Sequence, residues 1–275
     1  GMLWGWEVST YVWTKAIAAG LVMVVAISKF FNASYMNDSS WYSILGSALF
    51  FLILTTILLI KDLDQPKRFL YVLLRPQWKS WLVKGGYALT IFGGLITLAI
   101  ASRFFGWGIE KPVIYVSAVV AVIVAIYTAF LFAQAKGRDF WQSPTLPIHM
   151  LLHSFLAGAS FLTIIMYFYG WSHSWSTPVT FLLYGGIGLN LIVTAFELYT
   201  THPTHEAKLA VTSITKGKYS LRFWLVVIFV GNVLPLFLMA NFGPIGYLLA
   251  AVAVLTGSLM HEKIWVEAPQ QIPLS

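Results

Sequence analysis

Cysteine is missing from all 275 residues of the chain, which excludes disulfides, thiolate metal sites and cysteine-held iron–sulfur clusters. Charge is nearly as scarce, at 10% of residues, where a soluble domain carries about 25%. With 59% of residues hydrophobic, the composition is that of an integral membrane protein. Acidic residues are scarcer than basic ones, ten Asp and Glu against seventeen Lys and Arg. A net charge of +7 suggests nucleic acid in a soluble protein, but here the basic residues fall between apolar spans, where they set topology. Nucleic-acid binding is therefore set aside. Long polar stretches are absent too. At about 20 apolar residues per span, eight helices with short loops use up the sequence and leave no separate soluble domain. The first apolar stretch has no basic region before it and runs to spanning length, so it reads as a span and not as a cleavable signal.

What is present is an all-α pattern of eight transmembrane helices, a single transmembrane domain over 1–275. The spans fall at 8–30, 41–61, 81–102, 112–135, 146–169, 178–200, 221–240 and 243–262. Breaker residues separate them: Asn37 to Ser40, Pro66, Gly106 to Pro112, Gly137 to Pro144, Ser172 to Pro178, and Asn241 to Pro244. Tryptophans gather at the predicted ends, among them Trp4, Trp6, Trp41, Trp78, Trp81, Trp107, Trp141, Trp171, Trp175 and Trp265, as an interfacial belt requires. An even number of spans puts both termini on one side, together with the loops at 62–80, 136–145 and 201–220. That terminal side carries thirteen of the seventeen Lys and Arg, and the opposite side only Lys29, Arg103 and Lys111. The positive-inside rule then places it in the cytoplasm, in a multi-pass protein of the inner membrane.

Ionisable groups inside hydrocarbon are costly and mark function by default. Following the spans, Glu7, Tyr11 and Lys15 lie early in span one and Asp62 and Asp64 at the exit of span two. Tyr127 lies near the end of span four, His149 and His153 at the start of span five, and Glu197 in the last turn of span six. All fall in the terminal half of the membrane. Lys15 reads either as a snorkelling cation or as one partner of a buried ion pair with Glu7 or Asp62. Tyr127 reads as packing or as a ligand. Glu197 stands between Phe196 and Leu198, which favours function. The spacing of His149 and His153 puts them on one helix face, but a metal needs a third ligand, and Glu197 is the only deep candidate, so no metal is assigned. A haem takes axial ligands from two faces. The remaining histidines, His173, His202, His205 and His261, read as being in or near loops, so no haem is assigned either.

The run Trp4-Gly5-Trp6-Glu7 into Ala16 to Gly20, then Asp62-Leu63-Asp64-Gln65-Pro66-Lys67-Arg68-Phe69, Tyr127 to Leu131 and Ala135-Lys136-Gly137-Arg138-Asp139-Phe140-Trp141, resembles the NrfD/PsrC family. The likeness continues through Ser143-Pro144, Pro147, Gly158 and Glu197 to Trp265 to Gln270, and so covers most of the sequence. It implies an eight-helix membrane subunit without haem or iron–sulfur cluster of its own. Such a subunit exchanges electrons between the quinone pool, menaquinone or ubiquinone, and an adjacent ferredoxin-like iron–sulfur subunit. A catalytic subunit, typically molybdopterin-containing, completes such a complex, so the resemblance implies that this protein is the quinone-reactive part of an oxidoreductase whose catalytic metal centres lie on other chains. Tyr127 looks like the family's quinone-contacting tyrosine, and Asp62 stands in its Asp-Leu-x-x-Pro motif. The pattern departs at span one, where Val8 and Tyr11 replace an asparagine and a histidine. The assignments are quinone binding for Tyr11, Tyr127, His153 and Asp62, proton exchange for Asp62 and Glu197, and a proton path through Lys15, Glu197 and Asp64. Two other readings stay open: a secondary ion or solute transporter, and a haem-bearing cytochrome b-type anchor.

Overall fold

The computed structural model describes residues 4–30, 37–62, 81–134, 139–200, 202 and 204–272, and of Asp62 and Trp81 the backbone alone. Eight helices among these residues are long and apolar enough to cross a membrane. They are α1 (Trp6–Phe30), α2 (Asp38–Asp62), α3 (Trp81–Phe105), α4 (Glu110–Ala133), α5 (Leu146–Tyr169), α6 (His173–Tyr199), α8 (Ser220–Asn241) and α9 (Gly243–Gln270). A shorter helix, α7 (His205–Thr215), joins α6 to α8, and a 3₁₀ turn, Asp139–Gln142, precedes α5.

The first four helices pack as one group and α5, α6, α8 and α9 as another, with α1 and α5 at the seam. Small residues let the seam close. A Cβ on Gly20 would overlap the Ser154 carbonyl oxygen, and one on Gly158 would overlap the Gly20 carbonyl group. In lipid, where burial of apolar groups drives little association between helices, such close backbone contact is the main source of packing energy. Gly231 and Gly257 bring α8 against α9 in the same way. Consequently α1 is enclosed, with 83% of its most apolar window buried, whereas the corresponding windows of α2, α3, α6 and α8 are 33% buried and otherwise face lipid.

Three segments differ from the reading of the sequence. The stretch 201–220 is expected to be a loop, but Thr204 caps α7 by accepting from the Ala207 amide at 3.3 Å, and Ala207, Ala210 and Ile214 bury one face. Helix α6 starts at His173, ahead of Pro178, because Ser172 accepts from the Ser174 amide at 3.3 Å. Helix α9 runs eight residues past the expected end at 262. Its last turns are held by the Trp141 indole, which donates to the Trp265 carbonyl at 2.7 Å, and by Gln270, which bonds both the amide and the carbonyl of Trp4. That clasp also brings the two ends of the described residues together on one side, as an even span count requires.

The tryptophan belt is only partly one. Trp6 and Trp107 are exposed, but Trp41, Trp141, Trp175 and Trp265 are buried. Trp41 stacks between Lys29 and Arg103 on the side opposite the terminal clasp, where Arg103 pairs with Asp38 at 3.4 Å and Glu110 at 3.7 Å. The others use the indole N–H inside the bundle, a role open to any tryptophan whose ring is buried and whose nitrogen finds an acceptor.

Candidate functional site

The polar residues singled out in the sequence resolve into two clusters, one on each side of the seam. The first lies among α1, α2, α3 and α4. Lys15 is buried, and its amine donates to the Thr128 hydroxyl and to the Ala125 carbonyl at 3.3 Å. It does not snorkel, and it makes no ion pair with Glu7. The ring centre of Tyr127 lies 4.6 Å from the amine, a cation–π contact that holds the phenol in place from one side, while Gly85 presses on the ring from α3. The hydroxyls of Tyr11 and Tyr127 are both buried and neither has a hydrogen-bond partner. Two orphaned phenols are unusual, since a buried polar group without a partner costs about 1–3 kcal/mol.

An apolar cavity of ≈ 140 Å³ adjoins Tyr11, lined by Trp4, Val8, Tyr11, Leu58, Leu59, Leu82, Leu131 and Phe132; Tyr127 lies one helical turn before Leu131 on α4. Along α2, one residue beyond Leu58, an open apolar groove of ≈ 490 Å³ runs between α2 and α3, from Ile57 and Leu89 to Leu49 and Thr97. The backbone of Asp62 closes α2 about one turn past Leu58 and Leu59. Asp64 and the motif from Gln65 to Phe69 lie outside the described residues, as does the run from Ala135 to Arg138.

The second cluster lies among α5, α6, α8 and α9. The His149 Nδ1–H donates to Glu197 Oε1 at 2.7 Å, and Glu197 Oε2 accepts from the Trp265 indole at 2.9 Å. His153 Nδ1 lies 2.5 Å from Glu262 Oε1, and its Nε2–H donates to Asn190 Oδ1 at 2.9 Å. Asn190 in turn donates to Asn232, which donates to the Val227 carbonyl at 2.8 Å. Both residues of this last bond lie where α8 is wound as a π-helix, over Phe223–Val233. A wide turn of that kind leaves carbonyls off register, and such turns recur at functional sites. His153 thus has both ring nitrogens engaged and bonds neither Tyr11 nor Tyr127. Glu197 bonds His149 and Trp265, with no bond to Lys15.

Two members of this cluster are absent from the reading of the sequence. His261, expected in or near a loop, and Glu262, placed at the last residue of a span, are both fully inside α9 and buried. The signal lay in the continuation of α9: its apolar pattern resumes at Ile264-Trp265-Val266, past the charged pair Glu262-Lys263. His261 brings the imidazoles to three. Their ring centres lie 4.1 Å (His149 to His153), 4.6 Å (His149 to His261) and 4.6 Å (His153 to His261) apart. One nitrogen from each ring lies within 4.8 Å of the others, a spacing within which a metal ion can be held.

Comparison with known proteins follows the same lines. The C subunit of polysulfide reductase from Wolinella succinogenes is 25% identical over 269 aligned residues, covering 86% of this protein and 83% of its own length. Protein NrfD of Escherichia coli is 24% identical over 271, covering 86% of this protein and 84% of its own length. The family model "Polysulphide reductase, NrfD" matches residues 1–272, and with its eight-helix order and its motifs the protein belongs to the NrfD family.

Proposed function

We propose that this protein is the quinone-reactive membrane subunit of a respiratory oxidoreductase and exchanges electrons between the quinone pool and an iron–sulfur subunit docked on its terminal side. The observation that carries the proposal is the pair of buried, unpartnered phenols, Tyr11, which lines an apolar cavity at that side of the bundle, and Tyr127, one helical turn before the lining residue Leu131. A quinone head group offers two carbonyl acceptors on a flat apolar ring, which is the complement of two buried O–H donors next to an apolar slot. The open apolar groove between α2 and α3, whose lining residue Ile57 adjoins Leu58 of the cavity in sequence, suits an isoprenoid tail. His153 is the alternative to Tyr11, but its nitrogens are already engaged, so the head group falls to the two tyrosines.

Reduction of a quinone places negative charge on its oxygens, and the buried Lys15 amine beside Tyr127, when protonated, stabilises that charge across a medium of low dielectric constant. Protons must then arrive from water. Asp62, at the end of α2 beside the cavity, is assigned to that exchange, with Asp64 further out. Glu197 and its neighbours lie across the seam and are assigned to proton movement on the far side of Lys15. One relative's name, the C subunit of polysulfide reductase, supports a subunit of a multi-subunit reductase; a catalytic partner of molybdopterin type is what the family resemblance implies. The charge bias of the loops supports cytoplasmic termini.

The test is direct binding of a short-tailed quinone to the purified protein in detergent. Binding that is weaker in Tyr11→Phe and Tyr127→Phe than in wild type is the expected result. Equal binding in all three proteins removes this cavity as the quinone site.

A further inference from the structure

The second cluster has no part in the cavity described above, and its geometry asks for something more than hydrogen bonds. Three buried imidazoles and two buried carboxylates face one another at the junction of α5, α6 and α9. In two of the rings one nitrogen is anchored outward: His149 through Nδ1–H to Glu197, and His153 through Nε2–H to Asn190. The other nitrogens, His149 Nε2 and His153 Nδ1, turn inward toward the same atom, Glu262 Oε1, at 3.5 Å and 2.5 Å, and a bound ion would take the place of the proton that the His153 Nδ1 to Glu262 contact shares. His149 Nε2 and His261 Nε2 are buried without a hydrogen-bond partner. Outward N–H to a carboxylate or amide oxygen with an inward lone pair is how metal-bound histidines are held, because the outer bond fixes the tautomer and aims the ring.

We propose that His149, His153, His261 and Glu262 bind one divalent transition-metal ion, with Glu197 and Asn190 orienting two of the ligand rings. Three imidazoles and a carboxylate suit a borderline ion such as Zn²⁺. Tetrahedral bonds of about 2.0–2.1 Å bring the ligand nitrogens to about 3.3 Å of one another, a modest contraction from the 4.8 Å limit within which they already lie. Charge supports the assignment as well. With neutral imidazoles, a dication balances Glu262 and Glu197, so that the buried set carries no net charge in a setting where net charge is costly. A haem does not fit the same atoms, since rings 4.1 to 4.6 Å apart leave no room for a macrocycle between them. Beside the cluster, a cavity of ≈ 10 Å³ lined in part by His153, Asn190, Asn232, Ser258 and His261 has room for about one water. The ion fastens α5 to α9 across the second half of the bundle.

The test uses the full-length protein purified in detergent, stripped with a chelator, loaded with Zn²⁺ and freed of excess ion on a desalting column. Metal analysis should find one equivalent in wild type and in Tyr127→Phe, and a substoichiometric trace in His149→Gln and His261→Gln. Glu197→Gln, which removes no ligand, should weaken Zn²⁺ binding about 10- to 100-fold. Co²⁺ loaded into wild type alone should give the visible absorption of a tetrahedral site, so the proposal is decided even where a histidine variant does not fold. A wild-type protein that retains no stoichiometric Zn²⁺ and shows no such Co²⁺ spectrum overturns it and leaves a cluster neutralised by protons. Full retention in His261→Gln overturns the ligand assignment.

Discussion

Tyr127 and Glu197 are the residues at which single substitutions separate the assignments. Tyr127 Oη has no partner in the bundle, so Tyr127→Phe removes nothing that the fold uses. It should leave the yield of folded protein unchanged or higher and cost quinone binding about 0.5–1.5 kcal/mol, one hydrogen bond. Parallel measurement of quinone turnover and yield checks this, and a loss of yield would mean that the phenol is structural. Glu197 is different, because it accepts from both His149 and Trp265. In Glu197→Gln one amide oxygen can still accept from Trp265, while the amide nitrogen faces His149. Assembly should survive and turnover should slow, with a changed dependence on pH. Normal specific activity in a poorly assembled fraction would identify the carboxylate as structural instead. Asp62→Asn should impair proton-coupled turnover more than Tyr127→Phe does, because it removes the group assigned to proton exchange rather than one hydrogen bond. Equal effects in the two variants, read by quinol oxidation across pH, would contradict that order.

At the scale of the helix, α1 and α5 are set by what is not there. A methyl group on Gly20 collides with the backbone of Ser154, so Gly20→Ala must push the two helices apart, at a cost of about 1–3 kcal/mol. The same change at Gly46, where no atom lies within 4 Å, should be neutral or mildly stabilising, since Ala is the better helix former by about 1 kcal/mol. Thermal denaturation followed by loss of the monodisperse gel-filtration peak compares the two. Equal stability of the variants would mean that the seam is not held by close backbone contact. The same helix scale explains why α9 reads too short in the sequence: Glu262 and Lys263 look like the end of a span to a rule that counts charges, and only the buried His149 and His153 across from them make a carboxylate tolerable there.

For the whole molecule, the decisive property is orientation. Thirteen of seventeen basic residues lie on the terminal side, and the Trp4 to Gln270 clasp puts both ends of the described residues there. Protease added to sealed inverted vesicles should therefore cut the terminal-side loops, and protease added to spheroplasts should not. The reverse pattern would place the partner subunits outside the cytoplasm. Low charge, apolar runs of spanning length and the basic bias of alternate loops were determined by sequence alone, because they follow from the cost of polar groups in lipid, which acts on each residue separately. The order of helices and the family motifs were equally legible, and so was the placing of Lys15, Tyr127, His149, His153 and Glu197 in the terminal half, although the sequence left Lys15 open between snorkelling and burial and Tyr127 open between packing and ligand. Tertiary structure decided which of these meet. It put Lys15 and the tyrosines on one side of the α1 and α5 seam and the histidines on the other, and it added His261 and Glu262 from a helix more than 100 residues away in the sequence. Contacts of that kind depend on which faces of non-neighbouring helices turn toward each other. Here those faces are chosen by glycines at crossing points and by a π-wound turn, neither of which leaves a periodic mark in the sequence.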